Sequence, residues 1–219
     1  MTGKSTIKYS AYKLILPFAI FLIILMAVMM LIPGENTLGP AVRYVYLHVA
    51  LSFTGTIGFG LMAVTGILIL ILGKESMFNL MLSLGWVSTG AYIAGVLISM
   101  ISASLAWGSV SLSEPYMIMS IQVILAAMVV QISYLLIPWT KLKAVMSLLP
   151  IIFLLWLTNT TRLILHPSSP IRDSSSSVIK LSFAAVFLPC LIFSGYLVYL
   201  LFRYYGIKQT ALEQSPHKS

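Results

Sequence analysis

Residues 44–72 read YVYLHVALSFTGTIGFGLMAVTGILILIL, a long run without a single Asp, Glu, Lys or Arg. About 20 mostly apolar residues are enough for a helix to cross the hydrocarbon core of a bilayer. Similar runs occur on both sides of this one, separated by short polar segments. The predicted spans are about Leu14–Ile32, Tyr44–Leu72, Phe78–Ala106, Tyr116–Pro138, Ala144–Leu165 and Val178–Phe202. The sequence therefore predicts an all-α integral membrane protein, a bundle of six transmembrane helices.

The composition agrees with a polytopic membrane protein and excludes a soluble enzyme fold. The chain has 219 residues, of which 59% are hydrophobic and 8% charged, and its mean hydropathy is +1.01. A globular domain has about 25% charged residues, so this chain has too few to cover a water-facing surface. Its one cysteine, Cys190, lies in an apolar run, so neither an internal disulfide nor a CxxC pair is expected. The run from Leu14 to Pro33 is too long for the apolar part of a cleavable signal, and we expect it to remain as a span.

The distribution of basic residues predicts the orientation, because cytoplasmic loops carry an excess of Lys and Arg. Nine of the 13 lie on the side of the two termini: Lys4, Lys8, Lys13, Lys74, Lys141, Lys143, Arg203, Lys208 and Lys218. The other four lie on the opposite side: Arg43, Arg162, Arg172 and Lys180. Both termini are therefore expected in the cytoplasm, and the net charge of +8 needs no nucleic-acid partner. The predicted parts are a cytoplasmic N-terminus (1–13), a six-span domain (14–203) and a cytoplasmic tail (204–219) of a multi-pass cell-membrane protein.

Two histidines lie near the same, outer surface. His48 is just inside the start of the second span, and His166 closes the fifth. Ionisable residues in membrane spans are rare and usually functional. Two imidazoles from different helices suit one metal ion, or the two faces of a haem iron; the alternative is that each only caps a helix at the headgroup boundary.

Two arginines lie beside these histidines. If the fifth helix continues far enough, Arg162 and His166 share one of its faces, while Arg43 precedes His48 by one turn and a half. A guanidinium binds carboxylates such as haem propionates in a planar fork. The alternative is that both arginines extend to lipid headgroups.

The loop from Trp107 to Tyr116 is the third candidate region. Glu114 and Pro115 are well placed to begin a helix, since proline suits a first turn and a carboxylate favours a helix N-terminus. Trp107 is typical of an interfacial anchor. Helix capping and anchoring are enough to explain this loop without a ligand.

Three motifs at these positions resemble one known family. Arg43-Tyr-Val-Tyr46-Leu-His48-Val resembles its R-x-x-Y-L-H-V signature, and Leu165-His166-Pro167 resembles the L-H-[PQ] of its second histidine. Trp107-Gly108 and Glu114-Pro115 match the ends of its W-G-x-x-W-x-W-[DE]-P pattern. Over about residues 40–200 the chain thus resembles haem exporter protein C of the cytochrome c maturation system, within the haem-handling (cytochrome c assembly) family.

The resemblance implies a function, a cofactor and partners. It implies that haem b is bound transiently at the outer face, with His48 and His166 as axial ligands of the iron. Further haem contacts are implied for Trp107, Glu114, Arg43 and Arg162. The implied partners are an outer-face haem chaperone, an ATP-driven ABC-type complex and membrane lipid, in c-type cytochrome biogenesis and without catalysis. The chain departs from the pattern where Ser111 and Ser113, next to Val110, replace its two inner tryptophans, so the aromatic surface for a porphyrin is mostly lost.

Two other functions stay open. A membrane subunit of a transporter for another small solute would show polar or broken helices near the membrane midplane. A membrane b-type cytochrome would hold a permanent haem between deeper histidines. Polar residues within spans are few; we expect Gln122, Gln131 and Asn159 to form hydrogen bonds between helices, and glycines such as Gly55 and Gly95 to allow close helix packing.

Overall fold

The computed structural model describes residues 3–34, 38–161, 171 and 174–213. Seven α-helices follow one another in this part of the chain: α1 Gly3–Leu31, α2 Val42–Leu72, α3 Phe78–Trp107, α4 Pro115–Leu136, α5 Thr140–Met146, α6 Leu149–Thr160 and α7 Ser177–Glu213. A 3-10 turn at Glu75–Met77 leads into α3, and the described residues form no strand. Six helical segments are long and apolar enough to cross a membrane, which confirms the predicted number of spans.

Helix ends follow from the residues that the sequence places there. Gly73 and Gly108 end α2 and α3 in the left-handed conformation, with φ of 64° and 76°, which glycine adopts without steric cost. Pro138 disfavours helix at the residue before it, and α4 ends at Leu136. The segments 73–77, 108–114 and 137–139 are short, so the second to fifth spans alternate in direction.

The fifth span differs from the single helix predicted over Ala144–Leu165. It begins at Thr140, is interrupted at Ser147 and Leu148, and its second helix ends at Thr160. Pro150 lies in the first turn of α6 and has no N–H to donate to the carbonyl of Met146, so a continuous helix loses a hydrogen bond at this point. The two pieces α5 and α6 together make one crossing.

Helix α2 is the centre of the bundle. It packs along α3 and also contacts α5, α6 and α7, while α4 packs against α3 and α6. Helix α1 packs against α7, where the rings of Phe21 and Phe193 stack with centroids 4.4 Å apart. Small residues bring α2 and α3 together: a Cβ on Gly55 would lie 2.9 Å from the carbonyl oxygen of Ser88. The close packing predicted from the glycines is confirmed here.

The bundle has two ends, which differ in their charged groups. The histidine end comprises the start of α2 with His48, the end of α3, the start of α4 with Glu114, and the end of α6. The lysine end comprises the opposite helix termini and carries Lys74, Lys141 and Lys143. These two names are used below.

Candidate functional site

His48 is half-buried and forms a hydrogen bond that links α2 to α3. Its Nδ1 lies 2.9 Å from the carbonyl oxygen of Gly95. A carbonyl oxygen only accepts, so Nδ1 carries the proton and, in the neutral ring, Nε2 carries the lone pair. This hydrogen bond therefore selects the tautomer in which Nε2 is the nitrogen able to bind a metal ion.

The hydrogen bond between His48 and the Gly95 carbonyl depends on the small size of Gly95. A Cβ at this position would lie 2.7 Å from Oγ of Ser52 and 3.1 Å from its backbone nitrogen. A larger residue would crowd both the hydroxyl and the backbone of Ser52, so we expect it to separate α3 slightly from α2 and to lengthen the bond to His48. The motif drew attention to His48, but nothing in it indicated Gly95, since the two residues are far apart in sequence.

Arg43 connects α2 to the end of α1. Its Nε donates a hydrogen bond of 3.0 Å to the carbonyl of Ile32, which follows the last residue of α1. The last carbonyls of a helix have no donor within the helix, and a guanidinium nearby also suits the negative end of the helix dipole. Nε is therefore used within the protein, whereas the Nη groups have no hydrogen-bond partner in the part of the chain that the structure describes and are the groups that a ligand would contact.

Glu114 begins α4, as its sequence position predicts. It is 7% exposed, and its Oε2 accepts a hydrogen bond of 2.8 Å from the backbone N–H of Met117. Pro115 occupies the first turn after it. The capping role of Glu114 is confirmed, and it explains why this carboxylate is buried.

Trp107 is the last residue of α3, at the tip of the histidine end, and is 52% exposed. At the helical rise it is about 18 Å farther out along α3 than Gly95, the partner of His48. Val110 and Leu112, in the segment that follows, are also exposed. The tip is therefore an apolar surface that projects beyond the level of His48.

The start of α4 lies deeper, near the level of His48. Tyr116 and Met117 pack against a hydrophobic cluster that contains Tyr92 and Val96. These two residues of α3 lie on either side of Gly95 in the sequence. Ser120, one turn into α4, is a hydrogen-bond partner of Tyr92. Along the axis of the bundle, His48 and Glu114 therefore lie at a similar level, and Trp107 lies farther toward the end.

Arg162 and His166 lie outside the described residues, so their predicted roles stay predictions. The described part of the fifth span ends before them, at the end of α6. This helix ends at Thr160, and Thr161 has an extended backbone with ψ of 127°. The hydroxyl of Thr160 contacts the carbonyls of Trp156 and Leu157, at 3.0 and 3.3 Å, and such side-chain bonds compete with continued helix.

The last turn of α6 lies beside the start of α4. Oγ1 of Thr158 is 3.8 Å from Sδ of Met119, which belongs to the second turn of α4. The described chain before Arg162 thus ends near the level of Glu114. This is also the level of the Gly95 carbonyl that binds His48.

The predicted hydrogen bonds between helices have mixed outcomes. Gln131 is fully buried, and its Nε2 contacts Sδ of Met62 on α2 at 3.4 Å, which confirms the prediction for this residue. The prediction for Asn159 is wrong, because its Nδ2 donates to the carbonyl of Leu155 on its own helix. Gln122 is exposed on the outside of the bundle.

The fold and these sites define a multi-pass α-helical membrane protein with a polar, histidine-containing end. No protein-family model matches its sequence, and no curated protein is detectably similar to it.

Proposed function

We propose that this protein is a membrane haem-handling protein that binds haem b transiently at its histidine end and presents it to a haem chaperone during c-type cytochrome biogenesis. His48 and His166 are the proposed axial ligands. The observation that supports this most directly is the 2.9 Å contact between Nδ1 of His48 and the Gly95 carbonyl. The motif resemblance at both histidines supports it independently.

The environment of His48 suits a haem ligand. Metal-binding histidines almost always donate their second ring N–H to a carbonyl or carboxylate, which holds the ring in place and makes the binding nitrogen more basic. His48 has this arrangement, with the Gly95 carbonyl as acceptor. Haem iron accepts neutral imidazole as an axial ligand, and two imidazoles occupy both axial positions, which suits carrying haem rather than catalysis.

The other proposed roles follow from position and charge. The Nη groups of Arg43, together with Arg162, bind the haem propionates through charge-assisted hydrogen bonds. Glu114 holds the start of α4 near the level of His48, and the exposed tip at Trp107 receives the chaperone. The excess of basic residues at the lysine end supports an orientation with that end and both termini in the cytoplasm. ATP hydrolysis is left to a partner complex of the ABC type.

A second candidate is a subunit of a transporter for another small solute. Interrupted helices and buried polar groups are typical of transporter substrate sites. The interrupted fifth span and the fully buried Gln131 favour this candidate. Both features lie toward the lysine end, away from His48, so the two functions use different residues.

Absorption spectra of the purified protein distinguish these functions. For a haem handler we expect exchangeable haem in less than equimolar amount, with a low-spin spectrum. A cytochrome would give a stoichiometric and permanent b-type spectrum, and a transporter would contain no haem. His48→Ala and His166→Ala should each remove the low-spin spectrum while the protein still inserts into the membrane. His217→Ala, in the tail, is the matched control and should change nothing. Unchanged low-spin spectra in both single variants would overturn the ligand assignment.

A further inference from the structure

The core at the lysine end contains two polar atoms without a hydrogen-bond partner among the described residues. They are Oε1 of Gln131 and Oη of Tyr134. Gln131 is 0% exposed and Tyr134 is 4% exposed, so neither atom is satisfied by solvent or headgroups. Leaving a buried acceptor or hydroxyl unsatisfied costs its full desolvation, and such groups are rare in native proteins.

The two groups lie in one enclosed cluster. Residues three apart on a helix share a face, so Gln131 and Tyr134 point to the same side of α4. The residues around them are themselves buried and come from α2, α3, α4 and α5: Met62, Ile69, Met81, Leu84, Val130 and Ala144. The carboxamide of Gln131 lies directly against Gly85, where a Cβ would also be only 2.7 Å from Sδ of Met62. A ligand in this cluster is therefore small and fully enclosed.

The surrounding charges select a neutral ligand. Lys143 has its Nζ 4.6 Å from the centroid of the Phe78 ring, and that ring meets the ring of Tyr134 edge-on at 6.0 Å. A bound cation would lie near this like charge, whereas an anion would meet the electron-rich Oε1 of Gln131. Water suits both groups, since it donates a hydrogen bond to Oε1 of Gln131 and accepts one from the hydroxyl of Tyr134.

The interrupted fifth span lies next to this cluster. Ser147, at the interruption, is fully buried against Gly66, which is one turn from Met62 on the same face of α2. Its Oγ donates to the carbonyl of Ala144 at 2.7 Å. Membrane helices interrupted by proline are commonly satisfied by such serine side chains and by ordered water.

We propose that Gln131 and Tyr134 form a buried water-binding site at the lysine end, where one or more bound waters bridge the two side chains beside the interrupted span. The site is separate from the proposed haem site at the other end of the bundle. It does not depend on the haem-handling function.

Radiolytic footprinting tests for this water in the full chain. Ionising X-rays convert bound water into hydroxyl radicals, which oxidise the side chains that contact it, and mass spectrometry locates the products. We expect Tyr134 and Met62 to oxidise several-fold faster than Tyr92, although all three are buried. Tyr92 is the matched control because it is similarly enclosed but has Ser120 as its hydrogen-bond partner.

A double-mutant cycle tests whether the two side chains share the water. Gln131→Leu, Tyr134→Phe and the double variant are compared by thermal unfolding. We expect the change in Tm of the double variant to differ from the sum of the changes in the two single variants. Gln122→Leu and Tyr199→Phe replace exposed residues of the same types and should give additive shifts.

Three results would contradict the site. Slow oxidation with additive shifts would show that no water bridges the two groups. Slow oxidation with coupled shifts would indicate a direct hydrogen bond between Gln131 and Tyr134. Fast oxidation with additive shifts would place separate waters on the two residues.

Discussion

At the scale of single residues, three polar side chains of the histidine end contact the backbone. His48 bonds to the Gly95 carbonyl, Arg43 to the Ile32 carbonyl, and Glu114 to the N–H of Met117. Buried polar groups need such partners, so these contacts alone would explain why each residue is present. The histidine differs from the other two because the bond at Nδ1 also determines which nitrogen can bind a metal ion.

Glu114 and Trp107 are expected to differ in what they contribute. Glu114→Ala removes the acceptor for the Met117 N–H and should lower the unfolding free energy by about 0.5–2 kcal/mol. Glu114→Gln keeps an acceptor oxygen and should recover most of this loss.

Trp107→Ala, at the exposed tip, should leave stability nearly unchanged and weaken chaperone binding. Thermal unfolding and co-purification of the chaperone measure the two effects, and unchanged co-purification with both residues replaced by alanine would contradict the docking surface.

At the scale of helices, the contact between α2 and α3 depends on which glycines lie in it. Gly55 and Gly95 lie in the contact, where an added Cβ would clash with the facing helix. At Gly60 and Gly90 an added Cβ would meet nothing within 4 Å. Glycine is therefore needed for packing at Gly55 and Gly95, whereas at Gly60 and Gly90 it only lowers the stability of the helix.

Gly95→Ala should weaken haem binding without changing any ligand. The added methyl group forces α2 and α3 apart at Ser52 and so lengthens the bond that orients His48, and overpacking of this kind costs about 1–3 kcal/mol. Gly90→Ala, on the same helix but facing outward, is the matched control and should be neutral or stabilising by about 0.5–1 kcal/mol. Haem titration followed by absorbance, with thermal unfolding in parallel, measures both variants. Equal haem affinity in the two variants would show that the Gly95 carbonyl does not support the ligand.

At the scale of the whole molecule, the orientation in the membrane is the main feature to test. Six crossings place both termini on one side, and the basic residues on that side predict that it is the cytoplasm. With this proposed orientation the histidine end faces outward, toward the proposed chaperone.

Reporter fusions test this orientation directly. Fusions after Lys74 and Lys143 should report a cytoplasmic location, and fusions after Gly39 and Ser175 an external one. The expected result follows from the excess of basic residues in the second and fourth loops and at the termini. An external signal at Lys143 together with a cytoplasmic signal at Gly39 would invert the protein and remove the proposed haem site from the outer face.

Several features could be predicted from the amino-acid sequence alone: the six spans, the start of α4 at Glu114 and Pro115, and the helix ends at Gly73 and Gly108. These features depend on local properties, namely hydropathy summed over about 20 residues and the backbone preferences of single residues. The interruption of span five was missed, although Pro150 was its signal, because the apolar run continues through it without a change in hydropathy.

The contacts between helices, in contrast, are visible only in the folded structure. Lipid is as apolar as the inside of the bundle, so hydropathy does not distinguish the two faces of a membrane helix. For this reason Gln131 and Asn159 looked alike in the sequence. In the structure Gln131 contacts Met62 on another helix, whereas Asn159 forms a hydrogen bond with Leu155 on its own helix. For the same reason the sequence did not show that Gly95 pairs with His48, because its carbonyl becomes the partner of His48 only when α2 and α3 pack together.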